Sequence, residues 1–228
     1  MNATVTQPQP AAVPGAADAA EDLRTLAWLH AAERDSATWL ALHDQGFPRG
    51  LSLAVADAAV FQALDEALEA LDQQQRLHAQ RTDDTLAADY ADIYLTHTLQ
   101  ASPCESVWLD EDHLMLQGPS LSVRDLYRRH GLAVQDWRRM PDDHLSHELE
   151  FVAHLLDEGD AAAAAAFLDL HLLRWLPEFT ARVAQRSRSA LYAALAVMTL
   201  AACRDLRQRL GGPVHEAPID SVGKGSCP

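Results

Sequence analysis

Residues 137–156 read WRRMPDDHLSHELEFVAHLL, a turn that runs into a strongly patterned helix. Pro141 fixes φ near the helical value and has no N–H to leave unpaired, so it suits a first helical turn. Asp142 and Asp143 then place carboxylates where free backbone N–H groups and the positive end of the helix dipole favour them. Leu145, Leu149, Val152 and Leu156 recur at helical spacing and mark one buried face. His144, Glu148, Phe151 and Leu155 follow the same spacing along the edge of that face. The pattern predicts a histidine and a carboxylate at the mouth of an apolar groove, outside the core. Taken alone it also has a plainer reading, a well-capped core helix whose His144 and Glu148 pair on the surface.

Working outward, the rest of the chain is helical in style. At 228 residues it is long enough for one sizeable core. Ala and Leu dominate while aromatics make up only 6%, which favours helix over strand. Residues 1–18, rich in Gln, Pro and Ala, read as a disordered tail, and 213–228 as a second one. Between them, 19–212 forms one all-α domain, a bundle of about eight to ten helices by segment patterning. Asp35-Ser36 caps a short helix that Gly46-Phe47-Pro48 ends. Val60, Leu64, Leu68 and Leu71 mark a helix over 56–77, and Thr82-Asp83-Asp84 caps a separate one carrying Leu86, Tyr90, Ile93 and Tyr94. Pro103 breaks the chain after that stripe. Segments 107–109 and 114–116 read as a short irregular, extended excursion. Pro119-Ser120 opens a helix stopped by Gly131, and Pro177 separates a helix over 161–176 from a shorter one over 178–186.

Charge and cysteine usage narrow the function. A formal charge of −15 argues against nucleic acid, whose phosphates call for Lys and Arg, and suits a basic partner. Cys104, Cys203 and Cys227 contain no C-x-x-C pair, so neither a disulfide framework nor a zinc site is indicated by the cysteines, and a reducing cytoplasm fits. Residues 1–20 lack any Lys or Arg and have no apolar h-region, so no export signal is read there. The apolar run 190–203 is shorter than a membrane span and reads as a buried core helix.

Catalytic patterns are missing from the sequence. His144, His147 and His154 share a helix, but His147 and His154 are placed off the His144 edge, and neither H-E-x-x-H nor paired E-x-x-H occurs, so no metal is expected. Glu105 beside Cys104 raises the thiol pKa, and there is no G-x-S-x-G elbow or P-loop. Asp143 and His144, adjacent in sequence, diverge by about 100° on a helix and make no dyad. Arg128-Arg129 and Arg138-Arg139 read as solvated surface. Binding remains: Tyr90, Tyr94, Trp108, Tyr127 and Phe151 supply apolar walls, with Asp143 and His144 as polar anchors, for a hydrophobic peptide. The competing class is a metal- or His/Glu-dependent enzyme on the same helix.

Three ordered blocks carry a resemblance. Pro141-Asp142-Asp143-His144 followed by Glu148-Leu149-Glu150-Phe151 resembles the signature of the TorD/DmsD family, cytoplasmic chaperones of molybdenum-cofactor oxidoreductases. Asp89-Tyr90 with Ala101-Ser102-Pro103-Cys104-Glu105-Ser106-Val107-Trp108 is similar to a second family block, and 123–132 to a third. Two features depart from the family: Ile93-Tyr94-Leu95-Thr96-His97 replaces a Leu-Phe-x-Gly-Pro run, and Trp108 stands where Tyr is usual. The resemblance implies a non-enzymatic, cofactor-free, cytoplasmic chaperone, monomeric or a domain-swapped dimer. Its partner would be the leader or apo-form of a molybdoenzyme catalytic subunit, held until cofactor insertion and proofread before export. The implied client-binding residues are Tyr90, Glu105, Ser106, Trp108, Tyr127, Asp143, His144 and Glu148.

Overall fold

The patterned stripes become nine α-helices among the residues that the computed structural model describes, 14–96 and 100–214. In chain order these are α1 (Ala16–Ala31), α2 (Ser36–Asp44), α3 (Ala58–Tyr90), α4 (Ser106–Leu109), α5 (Gly118–Arg129), α6 (Leu145–Asp157), α7 (Ala161–Phe167), α8 (Leu173–Arg186) and α9 (Ala190–Leu210). Two wider π turns, Ala91–Leu95 and Leu168–Leu172, extend α3 and join α7 to α8. No strand occurs among the described residues. The one sheet-like feature there is an isolated antiparallel bridge between Cys104 and His144.

Two helices organise the packing. α6 buries Leu145, Leu149, Val152 and Leu156 as its spacing requires, and lays that face along Leu23, Leu26, Ala27 and Leu29 of α1. α9 is apolar on most of its circumference, which marks a helix enclosed by others. Its Tyr192, Leu195, Met198, Ala202, Cys203 and Leu206 are buried, and it packs against α3 and α8 most extensively. No described helix is long and apolar enough to cross a membrane. His30 of α1 is fully buried in this interior. Thr199 Oγ1 donates to the Leu195 carbonyl at 2.9 Å, so it accepts from His30 Nε2–H at 2.9 Å. Nδ1 is then left to accept from Tyr94 Oη at 2.5 Å. Burial pushes the His30 pKa down to about 3, keeping the ring neutral.

Several boundaries differ from the sequence expectation. α1 begins at Ala16, so the end of the expected tail is helical, while 1–13 and 215–228 lie outside the described residues. α3 is a single helix kinked at His78 (φ −150°, ψ 57°). Thr82 does not cap a new helix; its hydroxyl donates back to the His78 carbonyl at 3.1 Å. Residues 107–109, expected to be extended, belong to the short helix α4. Pro177 lies inside α8 instead of ending a helix. The buried Leu176 and Phe179 on either side offset a loss of about 3 kcal/mol for an interior proline.

Candidate functional site

The site is assembled where the start of α6 meets the loop before α4. The helix begins at Leu145 with His144 as its N-cap, the ring Nδ1 accepting from Ser146 N at 3.2 Å. The acidic pair expected to cap the helix is used differently. Asp143 is fully buried, and its Oδ2 accepts from Ser106 N at 2.8 Å. Backbone bonds flank that contact: Glu105 N donates to the Asp143 carbonyl at 3.0 Å, and Leu145 N to the Pro103 carbonyl at 2.8 Å. Asp142 pairs with Arg124 of α5 at 2.7 Å, and its carbonyl accepts from Tyr127 Oη at 3.0 Å. Two loops and α5 are thereby fixed to the first turn of α6.

Beneath this junction lies a buried polar centre. Glu148, expected at the groove mouth, is instead fully enclosed, where the π turn Leu168–Leu172 packs on α6 and Trp175 of α8 reaches its carboxyl. Its Oε2 accepts from Trp175 Nε1 at 3.2 Å. Burial first, and then the neighbouring Glu105 carboxylate, push Glu148 well above the usual carboxylate range, which favours its protonated form. Glu105 receives His171 Nδ1–H at 3.0 Å. Burial, with Asp143 next in effect, raises the Cys104 thiol strongly, which leaves it neutral and unreactive.

Above the junction opens a groove of about 1250 Å³. Tyr90 and Tyr94, stacked at 4.6 Å between centroids, line one side, and Tyr127 against Phe151 at 4.7 Å lines another. His144 and His147 sit between them with centroids 6.1 Å apart. His147 was expected to point off the His144 edge. Three residues on from His144, it instead shares the groove side with it, and its Nδ1–H donates to the Pro141 carbonyl at 2.8 Å. Burial lowers the His147 pKa, so the ring favours its neutral form. The chain following α5, including Leu132, Val134 and Met140, forms an apolar wall, while Glu33, Asp136 and Glu150 oppose Arg24 and Arg139 among the lining residues.

The structure therefore sorts the expected site residues into three groups. Tyr90, Tyr127 and His144 line the groove. Glu105, Ser106, Asp143 and Glu148 are buried below it. Trp108 is not among the lining residues; its indole donates to the Ser102 carbonyl at 2.8 Å and packs edge-on against Phe179, on the α8 side of the loop. Sequence reasoning missed His171 and Trp175, which complete the polar centre, and Met115 and His147 on the groove. His171 and Trp175 carry no local signal, since their partners Glu105 and Glu148 are far away in sequence.

The described residues thus form a helical scaffold with an aromatic groove over a sealed polar floor. Residues 57–181 match the family described as "Nitrate reductase delta subunit". The chain is 30% identical over 192 residues to "Chaperone protein TorD" of Vibrio cholerae serotype O1 (strain ATCC 39541), covering 78% of this chain and 84% of that one. It is 34% identical over 138 residues to "Chaperone protein TorD" of Shewanella oneidensis, covering 58% and 64%. It is 32% identical over 136 residues to the TorD chaperone of Shewanella sp. (strain MR-4), covering 57% and 65%. The chain belongs to this TorD and nitrate reductase delta subunit family. Its relatives are chaperones, not enzymes, and membership decides for the binding reading over a His/Glu- or metal-dependent enzyme.

Proposed function

We propose that the groove holds an apolar segment of the apo-form of a molybdoenzyme catalytic subunit, in the first place its N-terminal leader, and retains it in the cytoplasm until the cofactor is inserted. The observation that carries this reading is the groove itself. At about 1250 Å³ it exceeds the ~300–1,000 Å³ usual for a small-molecule site, and aromatic and aliphatic side chains line its length. A few polar groups, His144 and His147 with the Tyr90 hydroxyl, are spaced along it as anchors for peptide backbone. The charge of −15 favours a cationic partner during encounter. Tyr90, Tyr127 and His144 are the direct contacts in this proposal. Asp143, Ser106, Glu105 and Glu148 act indirectly by holding the two loops that shape the groove, and Trp108 supports the loop from its far side.

The test is a fluorescence anisotropy titration of the full-length protein with a labelled leader peptide from a molybdoenzyme encoded in the same genome. A peptide with the same composition but a scrambled apolar segment serves as control. Saturable one-to-one binding of the leader alone is expected. Absence of binding, or equal binding of the scrambled peptide, would reject the groove as a leader site.

A further inference from the structure

We infer that His130, His154 and Glu158 form a transition-metal site at the rim of the groove, best matched to zinc(II). His130 closes α5, His154 lies in the last turn of α6, and Glu158 closes α6. One donor atom from each lies within 4.8 Å of the other two. The Glu158 carboxylate stands between the imidazoles, Oε2 at 3.0 Å from His130 Nδ1 and Oε1 at 3.3 Å from His154 Nε2. The rings meet at 90° with centroids 6.3 Å apart, so their donor atoms approach from different directions. Nε2 of His154 is shielded from water and makes no well-aligned hydrogen bond, and a bound cation would satisfy it.

Physical chemistry selects the ion. Zinc bonds to imidazole nitrogen and carboxylate oxygen at about 2.0–2.2 Å, so its ligand atoms lie at most about 4 Å apart. Small rotations of these partly exposed side chains close that difference. Two nitrogens and one oxygen suit zinc over calcium or magnesium, which prefer all-oxygen shells. Three protein ligands leave a fourth position for water or another donor. Both helices end here, and the partial negative charge of helix C-termini favours a cation. His154 and Glu158 are four apart on one helix and project from the same face.

The location gives the site a structural consequence. The chain leaving His130 becomes the groove wall that carries Leu132 and Val134, while His154 and Phe151 line the groove from α6. A metal bridging His130 to α6 would pin that wall in place. This inference stands independently of which client the groove receives.

Isothermal titration of the metal-stripped, full-length protein with zinc chloride tests it. One equivalent at micromolar or tighter affinity is expected. His130→Ala, His154→Ala and Glu158→Gln should each weaken binding at least ~10-fold. Circular dichroism and melting should stay near the parent values, and His130→Gln provides a gentler variant should an alanine fail to fold. No binding in the micromolar range, or equal binding by the His130 and His154 variants, would overturn the site.

Discussion

Asp143 and Ser106 are joined across two distant segments: the aspartate carboxylate accepts the Ser106 backbone N–H at 2.8 Å, both groups buried. Removing the carboxylate would leave that N–H without an acceptor in the interior. An orphaned buried donor costs about 1–3 kcal/mol, a sizeable share of the ~5–15 kcal/mol stability of a domain. Asp143→Ala is therefore expected to lower stability by that amount in urea denaturation, and Asp143→Asn, which retains an acceptor oxygen, by less. Equal stability of Asp143→Ala and the parent would contradict the role given to this contact.

His144 is expected to affect binding more than stability. Its buried ring caps α6, and losing a cap costs about 0.5–2 kcal/mol, so His144→Ala should fold with a melting temperature only a few degrees below the parent. The same ring faces the groove, and leader affinity should fall at least ~10-fold, about 1.4 kcal/mol. Melting and peptide titration on one preparation separate the two effects. Normal binding would remove His144 from the proposed contact set.

Glu148 makes stability depend on pH with a definite sign. Its folded pKa is raised above the ordinary 4.5, so between that value and the folded pKa the native state holds a proton that the unfolded chain has released. Stability contributed by this group then falls as pH rises, by up to about 1.4 kcal/mol per pH unit. Glu148→Gln removes the titration, and its stability relative to the parent should improve steadily from pH 5 toward neutrality. A pH-independent difference would mean that Glu148 is ionised in the fold.

Salt should weaken leader capture only modestly. Under the proposed function, the net charge would accelerate encounter through screened, long-range attraction, whereas apolar burial in the groove would supply most of the affinity. Stopped-flow association rates should drop on adding salt while dissociation rates hold nearly constant. Complete loss of binding at moderate ionic strength would place the driving force in charge instead of apolar contact.

The helices were largely legible because their information is local. The α6 stripe Leu145, Leu149, Val152 and Leu156 is buried as spacing alone requires, and the apolar run within α9 is a core helix. Local rules failed where distant packing outweighed them. Pro177 is carried within α8 between buried residues, and Thr82-Asp83-Asp84 continues α3 instead of starting a helix. At the groove, the α6 pattern places His144 by the edge it occupies, and Tyr90 and Tyr127 read as aromatic walls; all three are lining residues. The burial of Glu148 was not legible, since it depends on Trp175 and Glu105 approaching from elsewhere in the chain. Helical periodicity identifies which residues share a side; it carries no information on what will cover that side.

The bridge between Cys104 and His144 closes everything from 105 to 143 into a loop whose two ends are tied together by backbone and carboxylate bonds. The entropy cost of closing such a loop grows only slowly with its length. This stretch also supplies α5 and the Leu132–Asp136 wall, so the clasp separates two tasks: the framework is secured at the loop's ends, and one wall of the groove is drawn from its middle. A change of length within that middle would reshape one wall of the groove while leaving the fastening of its two ends in place.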